Sequence, residues 1–131
     1  MVLLSDVRDW IKTLKTDAQN FYVGRLDAKN EKSIGIYQLK NAQPSRVCIG
    51  DNTIYEVKGV SILVHWSKNA RETETAALKL YEKIRTARNF TIGGRKVFFV
   101  EMLRSEPVDV FTDDCGVYER VIEIKIYTER K

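Results

Sequence analysis

The pattern that most restricts this fold is the alternation near the end of the chain. Between residues 117 and 128, Tyr118, Ile122, Ile124 and Ile126 fall on one side and Glu119, Glu123 and Lys125 on the other. Apolar and polar residues alternating at period two describe a half-buried β-strand. At the usual rise per residue such a segment reaches roughly 40 Å, about double an ordinary strand. A compact domain of this length has a radius of gyration of only about 14 Å. A strand this long either bends with its sheet or is covered in part by another subunit, because an open edge offers its unpaired amides and carbonyls to other chains. The second option points toward assembly rather than catalysis.

Composition narrows the class. With 131 residues, 44% hydrophobic and 31% charged, the chain reads as one globular domain, residues 1–131, burying about two-thirds of its unfolded surface. No apolar run is long enough to cross a bilayer. The opening Met1-Val-Leu-Leu-Ser-Asp reaches an acidic residue too early for a secretory signal, so the expectation is a soluble product that stays in a cytoplasm. Cys48 and Cys115 lack metal-ligand spacing and read as reduced thiols. The formal charge of +4 comes from 22 basic and 18 acidic residues. Both signs are interspersed, which describes a solvated surface and only weakly a nucleic-acid footprint.

Ser5 stands where it would cap a helix, with Asp6 and Asp9 in the first turn and Val7, Trp10, Ile11 and Leu14 at helical spacing, so a first helix is predicted over residues 5–15. Runs at 21–26 and 34–39 around a polar linker predict a hairpin whose charged tip contains Asp27, Lys29, Glu31 and Lys32. A short run at 46–49, a turn at 50–53 and a run at 60–66 that is apolar on both faces follow, the last of these predicted to be central. Asn69 with Glu72 three residues later resembles a capping box. It opens a second helix ending near Ala87, whose buried stripe is Thr73, Ala77, Leu80, Tyr81, Ile84 and Ala87. Segments 90–92 and 96–103 flank Gly93-Gly94 as a second hairpin. Helices are too few for βαβ alternation, so the fold class is α+β: a mostly antiparallel sheet with two α-helices packed on one face.

No constellation for bond chemistry stands out. His65 is the only histidine, so a hydrolase built on a Ser-His or Cys-His pair has to use it, and neither cysteine lies at a predicted helix N-terminus, where thiol acidity rises. Glu106, Asp109, Asp113 and Asp114 are hard oxygen donors, but their spacing matches no metal loop, and a turn accounts for the last two. Gly93-Gly94 lacks the Lys-Ser/Thr of a phosphate loop. The aromatics Phe21, Tyr22, Tyr37, Tyr55, Phe98, Phe99 and Tyr127, with Arg25, Lys40 and Lys58, admit a base-stacking sheet, against which core packing is the plainer account. Trp66 serves equally as core plug or interface anchor.

Three stretches carry a family likeness: residues 57–74, with Val-His-Trp-Ser-Lys-Asn at 64–69; Phe90-Thr-Ile-Gly-Gly94; and residues 106–120, with Asp-Asp-Cys-Gly at 113–116. Residues 3–10 and 32–37 share it. The chain resembles a family of minor capsid proteins from tailed phages and prophages of Gram-positive bacteria that look like tail terminators. The resemblance implies a virion structural protein of the head-tail region, assembled in the host bacterial cytoplasm, with no enzyme activity, cofactor, small-molecule substrate or membrane. Its implied partners are copies of itself in a ring, often a hexamer, together with the tail tube protein and the head-tail connector protein. A head-to-tail ring needs two different patches per subunit. One is expected on the loop with Glu106, Asp109, Asp113 and Asp114, joined by Glu119 and Arg120, and its complement near Arg71 and Glu72. Asp27, Lys29, Glu31 and Lys32 are the candidate contact to tube or connector. A head-completion or connector protein is the alternative within the same resemblance, and a basic nucleic-acid-binding sheet domain is the alternative outside it.

Overall fold

The long C-terminal strand lies inside its sheet. The computed structural model describes residues 1–27, 29–40, 55–110, 112 and 115–130. The run at 46–49, the turn at 50–53, Cys48, Asp113 and Asp114 lie outside them. In chain order the elements are α1 (Leu4–Thr13), β1 (Asn20–Val23), β2 (Ser33–Gln38), β3 (Tyr55–His65), α2 (Ala70–Arg85), β4 (Thr91–Ile92), β5 (Arg95–Met102), β6 (Val108–Asp109) and β7 (Glu119–Glu129). The described residues thus form an α+β fold whose seven strands run in the order β1-β2-β3-β7-β5-β4, with β6 also on β7. β3 and β7 are both 11 residues long and pair antiparallel throughout, from Tyr55 opposite Glu129 to His65 opposite Glu119. β5 and β6 occupy the far side of β7. Of the two expectations for the long strand, bending with its sheet or cover from another subunit, the second is not needed for pairing within this sheet, because β3 pairs with β7 along its whole length on one edge and β5 and β6 pair with it on the other.

Side-chain alternation gives this sheet its core. Val60, Ile62 and Val64 of β3 and Ile122, Ile124 and Ile126 of β7 are buried, and Ile62 lies opposite Ile122 and Val60 opposite Ile124. They form one apolar cluster with Ile34 and Ile36 of β2, Val7, Trp10 and Ile11 of α1, and Ala77, Leu80, Tyr81 and Ile84 of α2. Each large apolar side chain withdrawn from water contributes roughly 1.5–3 kcal/mol. Trp66, 4% exposed, belongs to this cluster, which makes it a core plug.

Both helices begin where polar side chains can take up free amides. α1 starts one residue earlier than expected: Leu3 is its N-cap, and Asp6 Oδ2 accepts the Leu3 N–H at 3.0 Å, so Ser5 lies inside the first turn. The helix also stops early. Lys15 turns to φ +55, and Lys83 of α2 donates to the carbonyls of Leu14 and Lys15 at 2.8 Å each. A cation on the last carbonyls is favourable through both hydrogen bonding and the helix dipole. In α2, Asn69 Oδ1 accepts the Glu72 N–H at 3.0 Å, as expected, but the Asn69 N–H goes to Ser67 Oγ at 3.3 Å.

The first predicted hairpin is not one. β1 and β2 pair in parallel, with Phe21 opposite Ile34 and Val23 opposite Ile36. The chain leaves β1 at Gly24, φ +76, whose N–H donates to Ile36 O at 2.9 Å. It returns over the sheet to Lys32, whose carbonyl accepts from Gln19 N at 2.8 Å and whose own N–H donates to Trp66 O at 2.8 Å. Residues 24–27 and 29–32 therefore belong to the return leg of a parallel connection. Gly35 makes room for it: a Cβ there would meet the Tyr37 ring at 2.8 Å and Leu26 Cδ1 at 3.2 Å. The second hairpin holds, with Ile92 opposite Arg95 and both Gly93 and Gly94 at positive φ, the backbone a two-residue turn of the primed type requires.

Candidate functional site

Among the described residues, several of the charged residues singled out from sequence gather at one end of the sheet, where β2 and β7 begin and β3 ends. Ser33, His65 and Glu119 mark that end, in register across the three strands. β6 brings residues 108–110 onto it, with Asp109 opposite Arg120 and the Val110 N–H donating to Glu119 O at 3.1 Å. The Arg120 guanidinium lies 3.2 Å from Glu74 of α2 and 3.9 Å from Asp109. It ties the loop to the first turns of α2 within one chain. Arg71 and Glu72 stand exposed on that same helix end, and Glu106 is exposed on the loop.

Glu119 is partly buried, its side chain 17% exposed. Its Oε2 lies 2.8 Å from Nδ1 of His65, whose side chain is fully buried. Two further bonds hold this end closed: Trp66 N–H to Tyr118 O at 3.2 Å and Tyr118 N–H to Ser67 O at 2.9 Å. A buried imidazole set against a carboxylate pins the end of β3 to the start of β7, and a substrate cannot reach that nitrogen from solvent.

The Asp27, Lys29, Glu31 and Lys32 segment lies beside α2. Asp27 Oδ1 accepts the Lys29 N–H at 3.0 Å, the Asn30 amide donates to Tyr22 Oη at 2.9 Å, and Lys32 holds a left-handed φ of +54. Lys29, Glu31, Lys32 and Glu72 line one shared groove with Ser67. The two patches separated in sequence are neighbours in space, joined through the start of α2. Among the described residues, no grouping of His, Cys, Asp and Glu could hold a metal ion. Cys115 is exposed.

The opposite end of the sheet carries four of the aromatic residues weighed in the sequence as a base-stacking surface, Tyr55, Phe98, Phe99 and Tyr127, for which core packing was the plainer account. Phe98 and Phe99 are 51% and 55% exposed and Tyr55 is 42% exposed. The Phe99 ring stacks on Tyr127 at 4.2 Å, with Tyr55 6.1 Å from Tyr127. The register between β5 and β7 slips between Val97 and Phe99, a β-bulge that leaves both phenylalanines outside the core. A signal was present in the sequence: two consecutive phenylalanines cannot both face one side of a regular strand.

The chain matches no curated protein. A family model described as bacteriophage tail terminator protein matches residues 5–130, which take in all of α1 but its first residue, α2, the seven described strands and every charged residue of the cluster at the β3–β7 end. The chain therefore belongs to the bacteriophage tail terminator family.

Proposed function

We propose that this chain is a structural subunit that ends a phage tail. It folds as one domain with both helices on the same face of the sheet and associates head to tail into a ring, a hexamer, in a phage or prophage of a Gram-positive host. The ring caps the tail tube and presents its other surface to the head-tail connector, with no bond chemistry. The family match over residues 5–130 carries this reading. Two features of the surface support it. Arg71, Glu72, Glu106 and Asp109 are exposed around the start of α2, where opposed charges set register and orientation more than affinity. The aromatic patch at the far end has the character of a protein-binding surface, since exposed apolar patches on soluble proteins mark such sites. Asp27, Lys29, Glu31 and Lys32 are then the contact to tube or connector.

The test is imaging of tails assembled with and without this chain. Tails of uncontrolled length in its absence are the expected result. Tails of normal length that fail to join heads would instead assign it to the connector.

A further inference from the structure

Positive charge without a carboxylate partner lines one trough beside α2. Five cations, Lys15, Lys32, Arg71, Lys79 and Lys83, border it against two carboxylates, Asp17 and Glu72. Lys83 is taken up by the carbonyls that close α1. Among the described residues, none of the other four cations has a carboxylate within 4.0 Å. The trough deepens beside Lys15 and Lys79 into a cavity of about 170 Å³. Its floor residues Val64, Trp66 and Leu80 are at most 4% exposed, so it offers a partner charge and hydrogen bonds rather than apolar area.

We propose that this trough binds an extended acidic segment of a protein other than this chain. The helix sets the spacing. Arg71 and Lys79 both line the trough and are eight residues apart on α2, roughly 12 Å along its axis. An extended chain covers that distance in about four residues, and side chains four residues apart on such a chain point the same way. Carboxylates at that interval therefore meet both cations, with Lys15 and Lys32 close by in the same trough. This chain's own described strands do not supply the segment: the acidic pair at that spacing is Glu119 and Glu123 of β7, which are held by His65 and Arg104 inside the sheet. Nucleic acid fits less well. Trp66 is the one aromatic residue lining the trough among the described residues, and its burial leaves no face on which a base could stack.

The experiment follows the fluorescence anisotropy of a short labelled peptide of alternating glutamate and serine on the full chain, at about 0.1 M salt, where charges more than ~10 Å away are screened. Wild type binds the peptide, and the double variant Arg71→Gln/Lys79→Gln binds it about tenfold more weakly. The double variant Arg88→Gln/Lys96→Gln removes the same charge from exposed positions outside the trough and stays within about twofold of wild type. Glutamine is a good helix former, and far-UV circular dichroism checks that each variant folds. Equal losses in the two double variants mean attraction by net charge alone and overturn the proposal, as does a wild-type chain that leaves the peptide free. A labelled oligothymidylate that displaces the peptide from wild type and is itself weakened by Arg71→Gln/Lys79→Gln assigns the trough to nucleic acid and overturns it too. The ring is read separately, from the sedimentation mass of the same chains, so either reading can fail while the other stands.

Discussion

On β3 and β7 the even-numbered residues face the apolar cluster and the odd-numbered ones face away from it. Ile62, Val64, Ile122, Ile124 and Ile126 are at most 2% exposed, whereas Ser61, Leu63, Glu123, Lys125 and Tyr127, one residue along, are half-buried. The strands supply identical backbone pairing to both faces, so pairing alone does not explain why the first face tolerates so little change. Packing does. The isoleucines belong to the apolar cluster that also takes in side chains of both helices, while Gly35, between Ile34 and Ile36, has Leu26 of the return leg against it. Fold stability should therefore concentrate on one face and surface function on the other.

The sharpest way to break that comparison is to truncate one residue on each side. Ile124→Ala removes a fully buried side chain and should lower unfolding free energy by about 2–5 kcal/mol, read from the midpoint of denaturant unfolding. Gly35→Val tests the part of the outer face that the chain covers itself. Its Cβ would strike the Tyr37 ring, with an expected loss of about 1–3 kcal/mol as Tyr37 and Leu26 shift to make room. Phe99→Ala lies on the uncovered part. It should cost at most about 1 kcal/mol, mainly the stacking with Tyr127. If Phe99→Ala proves as damaging as Ile124→Ala, the two faces are not separated in the way their burial implies.

How much of this can be read from the chain depends on how local the cause is. α2 is legible because its apolar stripe, its Asn69 cap and its basic last turn all lie within one segment. The Gly93-Gly94 hairpin is legible because its backbone requirement is carried by the two residues themselves. The direction of β1 against β2 is not, since alternation at period two is the same in parallel and antiparallel pairs. What sets the direction is distant: Lys32 bonded to Trp66, and Gly24 bonded to Ile36. The early end of α1 depends on Lys83, far along the chain. The candidate site divides in the same way. Its charged residues are visible in sequence, but the convergence of Glu74, Arg120 and Asp109 requires the β6–β7 pairing, and two paired residues are too few to leave a periodic signal.

The smallest effect expected from the comparison is a titration. The Tyr127 phenol lies on the outer face, where burial first, and then its hydrogen bond to Glu101 at 3.0 Å, hold its pKa above the ordinary tyrosine range. A group with a raised folded-state pKa favours its protonated form in the folded protein. The resulting stability is present below the unfolded tyrosine value of about 10 and is lost as pH rises through the folded value. The difference in tyrosinate absorbance between wild type and Tyr127→Phe should show a midpoint above that of a free tyrosine. Because burial is the larger cause, Glu101→Gln should bring the midpoint down only part of the way. A full return to the ordinary range in Glu101→Gln would mean that water reaches the Tyr127 hydroxyl freely, and that the stack with Phe99 shelters less of this face than its 4.2 Å centroid distance implies.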